Sequence, residues 1–289
     1  MDNGETAGDI FLFDHKNIKI SSPATIYFLT SPIFFSHMLD LSPIIHTPFQ
    51  WAVAGFCAFV IGMSKTGVQG ITTLSIPLLA LLFGGKPSTG IILPLLCMAD
   101  VMAVIHYRRN AEWKYIFKLL PAAIAGFFVA LAADRFVPEA QFKRLMAVCI
   151  LAGIAVMLLR TGSKNGENAL IRKWWYGPSF GLLGGFTTMI GNAAGPVMSV
   201  YLLSVRLPKY AFVGTSAWFF LIVNFLKIPL QVFVWDNISA ASLLLDVMLL
   251  PLLALGAVAG VALVKRMPEH GYRKMIVVLT VLSTAMLLI

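Results

Sequence analysis

The chain has 289 residues, of which 58% are hydrophobic and only 12% are charged. Because soluble domains carry about 25% charged residues, this composition excludes an ordinary soluble protein and indicates an integral membrane protein. The formal net charge of +9 requires no nucleic-acid partner, since basic loops orient helices in a membrane. The expected surroundings are therefore a lipid bilayer, and nucleic acid is not an expected partner.

Residues 1–50 form an N-terminal extension that precedes the main apolar runs. Its first 22 residues carry four acidic side chains against two lysines, which is the wrong charge for the start of a signal peptide. Residues 24–45 are moderately apolar but contain prolines and polar residues, namely Pro32, His37, Asp40 and Pro43. This stretch is predicted to be an interfacial segment packed on the helical bundle, with an additional membrane span as the alternative.

Eight apolar runs follow, most of them close to the roughly 20 residues that a membrane-crossing helix needs. They lie near residues 52–83, 87–107, 115–134, 138–159, 175–205, 210–228, 240–264 and 272–289. The first and fifth runs are too long for one straight span. Both are also interrupted by glycines and small polar residues.

The two interruptions occupy matching places in two halves of the chain. The first reads GMSKTGVQG over 62–70, and the second reads GGFTTMIGNAAGP over 184–196. Such paired breaks point to the binding site of a secondary transporter. The predicted organisation is a first transmembrane repeat at 51–160, a cytoplasmic linker at 161–173 and a second transmembrane repeat at 174–289.

The positions of Lys and Arg distinguish two topologies for the long runs. If both runs cross the membrane, ten basic residues fall on each side; if both are re-entrant, fourteen fall on one side and six on the other. Basic loops collect on the cytoplasmic side, so the re-entrant topology is favoured, with both termini outside. The predicted fold is an all-α polytopic membrane protein of two inverted repeats, each with a broken re-entrant hairpin and three spanning helices.

The breaks have the chemistry of an anion site. Half-helices beginning near Gly70 and Pro196 would present free N–H groups and partial positive charge, and two such N-termini together can bind an anion. Lys65 adds a full charge at a depth where lysine costs at least about 2.5 kcal/mol. The predicted substrate-binding residues are Ser64, Lys65, Thr66, Gly67, Gln69, Gly70, Asn192, Ala193, Gly195, Pro196, Thr215 and Ser216.

Other ionisable residues lie inside the apolar runs. Lys65 has a structural alternative, which is to neutralise Asp100, and a pair of this kind could be opened by substrate or by protonation of Asp100. Asp100 is therefore the predicted ion-coupling residue. Lys227, near the end of its run, is interpreted as reaching the membrane interface. Asp246 is placed near the headgroups, with a ligand or proton role left open.

Enzymatic signatures are missing from the sequence. It contains no HExxH pair, GxSxG elbow, Walker loop or CxxC spacing. The three cysteines lie in apolar runs without paired spacing, and they are interpreted as core residues. No catalytic residue, metal or cofactor is expected.

Four segments resemble the sulfite exporter TauE/SafE family of membrane transporters: 62–77, 88–109, 188–196 and 214–220. The resemblance covers roughly residues 51–289 and is specific to a branch whose Ser-Lys-Thr-Gly and Asn-Ala-Ala-Gly-Pro breaks replace glycine-rich repeats. It implies two repeats and transport of small sulfur-containing or organic anions, such as sulfite, sulfonates and thiosulfate. The family's break region corresponds here to Ser64, Lys65, Thr66, Gly67, Gly70, Asn192, Gly195 and Pro196.

The expected function is secondary transport of a small anion, a sulfur oxyanion or organosulfonate, by alternating access. No cysteine lies within a break, which argues against a thiosulfate mechanism that relies on cysteine. The expected location is the cell membrane as a multi-pass protein, with the bacterial inner membrane favoured. An anion channel and a membrane-embedded enzyme or scaffold are the alternatives, and a homo-oligomer is left open.

Overall fold

The computed structural model of the chain describes residues 44–134, residue 136 and residues 173–286. The N-terminal extension up to residue 43, the apolar run at 138–159 and nearly all of the linker at 161–173 lie outside the described residues. Predictions for those segments therefore stay predictions.

The described part of the chain contains α-helices and one 3₁₀ turn, and no strand. Its first half holds α1 (Pro48–Thr66), α2 (Thr72–Phe83), α3 (Gly85–Tyr107) and α4 (Trp113–Asp134). Its second half holds α5 (Tyr176–Gly191), α6 (Ala194–Ser204), α7 (Lys209–Phe233), α8 (Ala240–Arg266) and α9 (Glu269–Met286). Among the described residues, four segments are long and apolar enough to cross a membrane: Pro87–Asn110, Trp113–Ala133, Lys209–Phe233 and Ala240–Arg266. The all-α polytopic class is confirmed.

The first break separates α1 from α2. Thr47 and Gln50 form a capping box that starts α1, which satisfies two of the N–H groups left free at a helix start. The helix ends at Gly67, and Gly70 takes a φ of 99°, a left-handed conformation that glycine adopts at no steric cost. α2 then runs for 12 residues, about 18 Å, which is well short of a bilayer core about 30 Å thick.

The second break separates α5 from α6 in a similar way. Asn192 ends α5 in the left-handed conformation, with a φ of 55°, and its N–H donates to the carbonyls of Thr187 and Thr188. Asparagine tolerates this conformation better than most residues do. α6 follows with 11 residues, so it too is only about half a membrane thickness long.

Contacts along α8 fix the direction of α1. Gly55, near the middle of α1, faces Leu252, whereas Gly67 at its end faces Gly260. Both positions advance together along the two helices. α1 and α8 are therefore parallel.

Contacts with α8 and with the residue just before it also give the direction of α3. Gly90, early in α3, lies against Asn237 just before α8, and His106 near the end of α3 interacts electrostatically with Lys265 near the end of α8. α3 is thus parallel to α8 and, in turn, to α1. Because two successive segments can be parallel only if the chain returns between them, α2 must carry it back. The first break is therefore a point of reversal, in agreement with the re-entrant interpretation.

The first helix of each half packs against the fourth helix of the other half. α1 packs along α8, the fourth helix of the second half, and α5 packs along α4, the fourth helix of the first half. The third helices of the halves, α3 and α7, cross the middle in opposite directions. Thr89 near the start of α3 contacts Gln231 near the end of α7, and Tyr107 at the end of α3 contacts Tyr210 at the start of α7.

Glycines bring the backbones of α1 and α8 into direct contact. A Cβ atom added at Gly62 would overlap the carbonyl oxygen of Leu253, and one added at Gly256 would overlap that of Phe59. Helices in lipid associate through such small residues, because van der Waals contact replaces the hydrophobic effect between them. The same close approach joins Gly185 of α5 to Ala123 of α4.

The substitution Gly256→Ala should therefore destabilise the protein. The added methyl group has no free space at the Phe59 carbonyl, and overpacking of this kind costs about 1–3 kcal/mol. The thermal midpoint of the detergent-purified protein, followed by size-exclusion chromatography after heating, should fall. Gly271→Ala is the matched control, because the nearest atoms there are side-chain atoms at 3.4 Å or more. Equal midpoints for the two variants would contradict this packing account.

Candidate functional site

A cavity lies where the two breaks meet. A Cβ atom on Gly195 would stand 3.7 Å from the Cα of Gly70, so the two breaks are in van der Waals contact. The cavity is partly open to the outside of the protein. Its lining residues are Ser64, Lys65, Gln69, Gly70, Thr72, Leu96, Thr188, Asn192, Gly195, Phe220 and Asn224.

Residues that are 124 positions apart in the two halves lie at this cavity. Asp100 and Asn224 are 124 positions apart, and the Asn224 amide donates to Asp100 Oδ2 at 2.7 Å. The cavity-lining pairs Ser64 with Thr188 and Leu96 with Phe220 have the same separation. One offset thus relates three pairs of residues at the cavity, with different side chains in each pair.

Lys65 provides the positive charge at the cavity wall. It is 8% exposed, and its Nζ lies 2.9 Å from Asp100 Oδ1 and 4.1 Å from the centre of the Phe220 ring. Asp100 is fully buried. The predicted pairing of these two residues is present, and the ammonium still lines the cavity. A ligand could therefore bind Lys65 directly or compete with Asp100 for it.

The N-terminal ends of α2 and α6 also lie at the cavity. The Ser64 hydroxyl links the end of α1 to the start of α2. It donates to Val68 O at 3.1 Å and accepts from Thr72 N–H at 3.2 Å. Gly195 in the first turn of α6 lines the opposite side. Helix N-termini carry partial positive charge, so they favour a negatively charged ligand, as Lys65 does.

Lys227 does not reach the membrane interface, and that interpretation of the sequence was wrong. Its side chain is fully buried, and its Nζ donates to Thr188 O at 2.8 Å and to Asn192 Oδ1. The physical reason is that α7 continues through Pro229 to Phe233, beyond the predicted end at 228. Lys227 therefore lies inside the bundle, where it satisfies the carbonyl end of α5.

Asn192 connects the second break to the first half. Its Nδ2 donates to Thr89 O at 3.1 Å, while its Oδ1 accepts from Lys227. Its amide thus uses both its donor and its acceptor. This predicted site residue lines the cavity and also holds the two halves together.

Six of the predicted binding residues line the cavity, and six do not. The first group is Ser64, Lys65, Gln69, Gly70, Asn192 and Gly195. Thr66 instead donates to Gly62 O and Ala257 O. Gly67 accepts from the Tyr272 hydroxyl, and Thr215 accepts from the Glu112 N–H. Ala193, Pro196 and Ser216 are buried outside the cavity lining.

Five lining residues are absent from the predicted set: Thr72, Leu96, Thr188, Phe220 and Asn224. A signal for two of them, Thr188 and Asn224, exists in the sequence. Shifting Ser64 and Asp100 by the 124 positions that separate Asp100 from Asn224 gives Thr188 and Asn224, and the same shift of Leu96 gives Phe220. Leu96 and Phe220 are apolar, however, and apolar residues in a span carry no mark of function.

The fold and the cavity together define a class, namely helical multi-pass membrane proteins that hold a charged cavity between two broken hairpins, as secondary transporters do. The chain belongs to the sulfite exporter TauE/SafE family, whose model matches residues 51–287. This match confirms the resemblance found in the sequence. Membership implies a membrane transporter of sulfite or a related anion, which argues against an enzyme. No curated protein and no solved structure gives a significant match.

The Lys65–Asp100 pair should show the energetics of a buried ion pair. Asp100→Leu leaves the ammonium without its counter-ion, and breaking a buried pair in this way costs about 3–5 kcal/mol. The double variant Lys65→Met/Asp100→Leu removes both charges and should recover much of the loss. Thermal unfolding of the purified variants measures this coupling. Glu112→Gln, which breaks an exposed pair with Lys114, should change little; additive effects at Lys65 and Asp100 would contradict the pairing.

Proposed function

We propose that the protein is a secondary transporter of a small anion, a sulfur oxyanion or an organosulfonate, which it binds between the two breaks. The observation that carries this proposal is the Lys65 ammonium, which lines a cavity at the N-terminal ends of two half-helices. An ammonium and two helix N-termini all favour negative charge. Family membership supports the same class of substrate.

The anion competes with Asp100 for Lys65. An oxyanion beside Lys65 would gain an ionic hydrogen bond, and the Thr188 hydroxyl also lines the cavity. Charge-assisted hydrogen bonds are about twice as strong as neutral ones. Asp100, once deprived of its partner in a buried position, would take up a proton. This sequence of events couples anion binding to protonation of Asp100.

Alternating access arises from movement of one repeat against the other. We propose that the repeats are inverted, and the antiparallel course of α3 and α7 supports this relation. An inverted pair of repeats places the site at the bilayer midplane, where rocking of either half exposes it to one side. The protein would do this in the cell membrane, with the bacterial inner membrane as its expected location. The driving force is an ion gradient or the gradient of the anion itself.

Counterflow distinguishes this carrier from an anion channel, which would use the same positive breaks. A carrier exchanges labelled for unlabelled anion and saturates with concentration. A large ohmic current would instead favour the channel. Neither result is expected from an enzyme or scaffold.

Ligand-dependent thermal stabilisation should identify the anion class. A ligand that binds only the folded protein stabilises it by RT ln(1 + [L]/Kd). Of sulfite, thiosulfate, sulfate, sulfoacetate, taurine and a carboxylate panel, we expect sulfite or a sulfonate to raise the thermal midpoint. Lys65→Met should abolish the shift, because it removes the charge at the cavity wall.

Lys114→Met is the matched control for that experiment. It removes the same charge from a lysine whose side chain is 67% exposed and that does not line the cavity, so the anion-dependent shift should persist. A shift that survives Lys65→Met would move the site elsewhere. No shift with any anion, in a folded preparation, would contradict the proposed function.

A further inference from the structure

Asp246 is a second buried carboxylate that the proposed anion site does not use. It lies in α8, the 27-residue apolar helix, and its side chain is fully buried. Neither of its oxygens has a hydrogen-bond partner among the residues that the structure describes. This differs from Asp100, whose carboxylate meets both Lys65 and Asn224.

Asp246 occupies the face of α8 that packs against the first hairpin. The residues Asp246, Leu249, Leu253, Gly256 and Gly260 follow one another at spacings of three and four, so they share one side of the helix. The last three of them contact the backbone of α1. Asp246 continues this stripe toward the start of α8.

Among the residues that the structure describes, the neighbouring helices supply no free cation to Asp246. The titratable group that interacts with it from α3 is the Cys97 thiol. The residues flanking it on α8, Leu245 and Leu249, pack into an apolar cluster that includes the Cys57 thiol of α1.

The two buried lysines in the described part of the chain are already engaged elsewhere. Lys65, near the opposite end of α1, is paired with Asp100. Lys227 of α7 is bound to Thr188 and Asn192. Asp100 also interacts electrostatically with Cys97, and its charge would repel a second negative charge.

An ionised carboxylate in such surroundings is strongly disfavoured. Burial penalises the charged form, and neither a counter-ion nor a hydrogen-bond donor offsets the penalty. Acidic side chains inside membrane spans mark proton and ion pathways in pumps and transporters. The arrangement therefore describes a carboxylic acid that holds its proton in this conformation.

We propose that Asp246 is a proton-binding site that couples anion transport to proton movement; this inference rests on the proposed transport function. The contacts between α1 and α8 are made mainly at glycines, with the Thr66 hydroxyl bonded to Ala257 O, so a shift of the first hairpin along α8 must break that hydrogen bond. That shift opens the Asp246 face to water on one side, where its O–H bond breaks and the proton passes to water. The bond forms again with a proton from water on the other side, and no other bond changes.

The test uses Asp246→Asn in proteoliposomes, with labelled sulfite and methanesulfonate as probes. The wild-type protein should transport a probe faster when a pH gradient is imposed, and the variant should lose this acceleration. Exchange of labelled for unlabelled anion at equal pH needs no net proton movement and should persist in the variant. Asp246→Glu, which retains an acid, should keep the response to the gradient.

Asp236→Asn is the matched control, because it makes the same change at an exposed residue just before α8. Its transport should respond to the pH gradient as the wild type does. Infrared spectroscopy gives an independent readout: the carbonyl band of a protonated carboxylic acid should be present in the wild type and in Asp236→Asn, and reduced in Asp246→Asn.

The outcomes separate this inference from the proposed function. Anion transport that ignores the pH gradient in the wild type, or that keeps its response in Asp246→Asn, would overturn the role of Asp246 and leave anion transport intact. Failure of the wild type to move either probe would overturn the transport proposal. In that case the infrared band alone decides whether Asp246 holds a proton. An unchanged band in Asp246→Asn would show that it does not.

Discussion

The buried ion pair between Lys65 and Asp100 is the interaction on which the candidate site depends. It joins the end of α1 to the middle of α3 across 2.9 Å, and Asn224 of α7 donates to the same carboxylate. A lysine at this depth is costly unless it is paired, so the pair fixes where the first break lies relative to both central helices. Because the ammonium also lines the cavity, the same residue stabilises the fold and offers a charge to a ligand. In the proposed mechanism, competition between the carboxylate and an incoming anion would let the substrate change the conformation.

The second break is held by different chemistry at a corresponding place. There a lysine from α7, Lys227, binds the carbonyl of Thr188 and the amide of Asn192, with no carboxylate involved. An ion pair that a ligand can disturb thus holds the first hairpin in place. The second hairpin is held by hydrogen bonds that Lys227 donates to the Thr188 carbonyl and the Asn192 side chain. We infer that the two hairpins respond unequally to the anion. Such an asymmetry would let one half move while the other keeps its shape.

Much of the fold was predictable because the lipid environment imposes simple rules on sequence. Run lengths and the two glycine-rich breaks predicted the helices and the reversal at the first break, whereas the topology drawn from Lys and Arg stays a prediction. At the site, the sequence pointed to Lys65, Asp100 and Asn192, because burying a polar group at membrane depth costs free energy unless the group has a structural or functional role. Thr66 and Thr215 were assigned to the cavity although their hydroxyls bond to backbone groups of neighbouring segments. Sequence pattern does not show which way a threonine points, and it placed the end of α7 too early for Lys227.

The central claim is that a small oxyanion binds between the two breaks beside Lys65. Anomalous X-ray diffraction from crystals soaked in selenite, the selenium analogue of sulfite, tests it most directly, because selenium reports its own position. The account predicts an anomalous peak within hydrogen-bonding distance of Lys65 Nζ and between Gly70 and Gly195, and no such peak in crystals of Lys65→Met. A peak confined to the loops or to another cavity, in a protein that still transports sulfite, would contradict it.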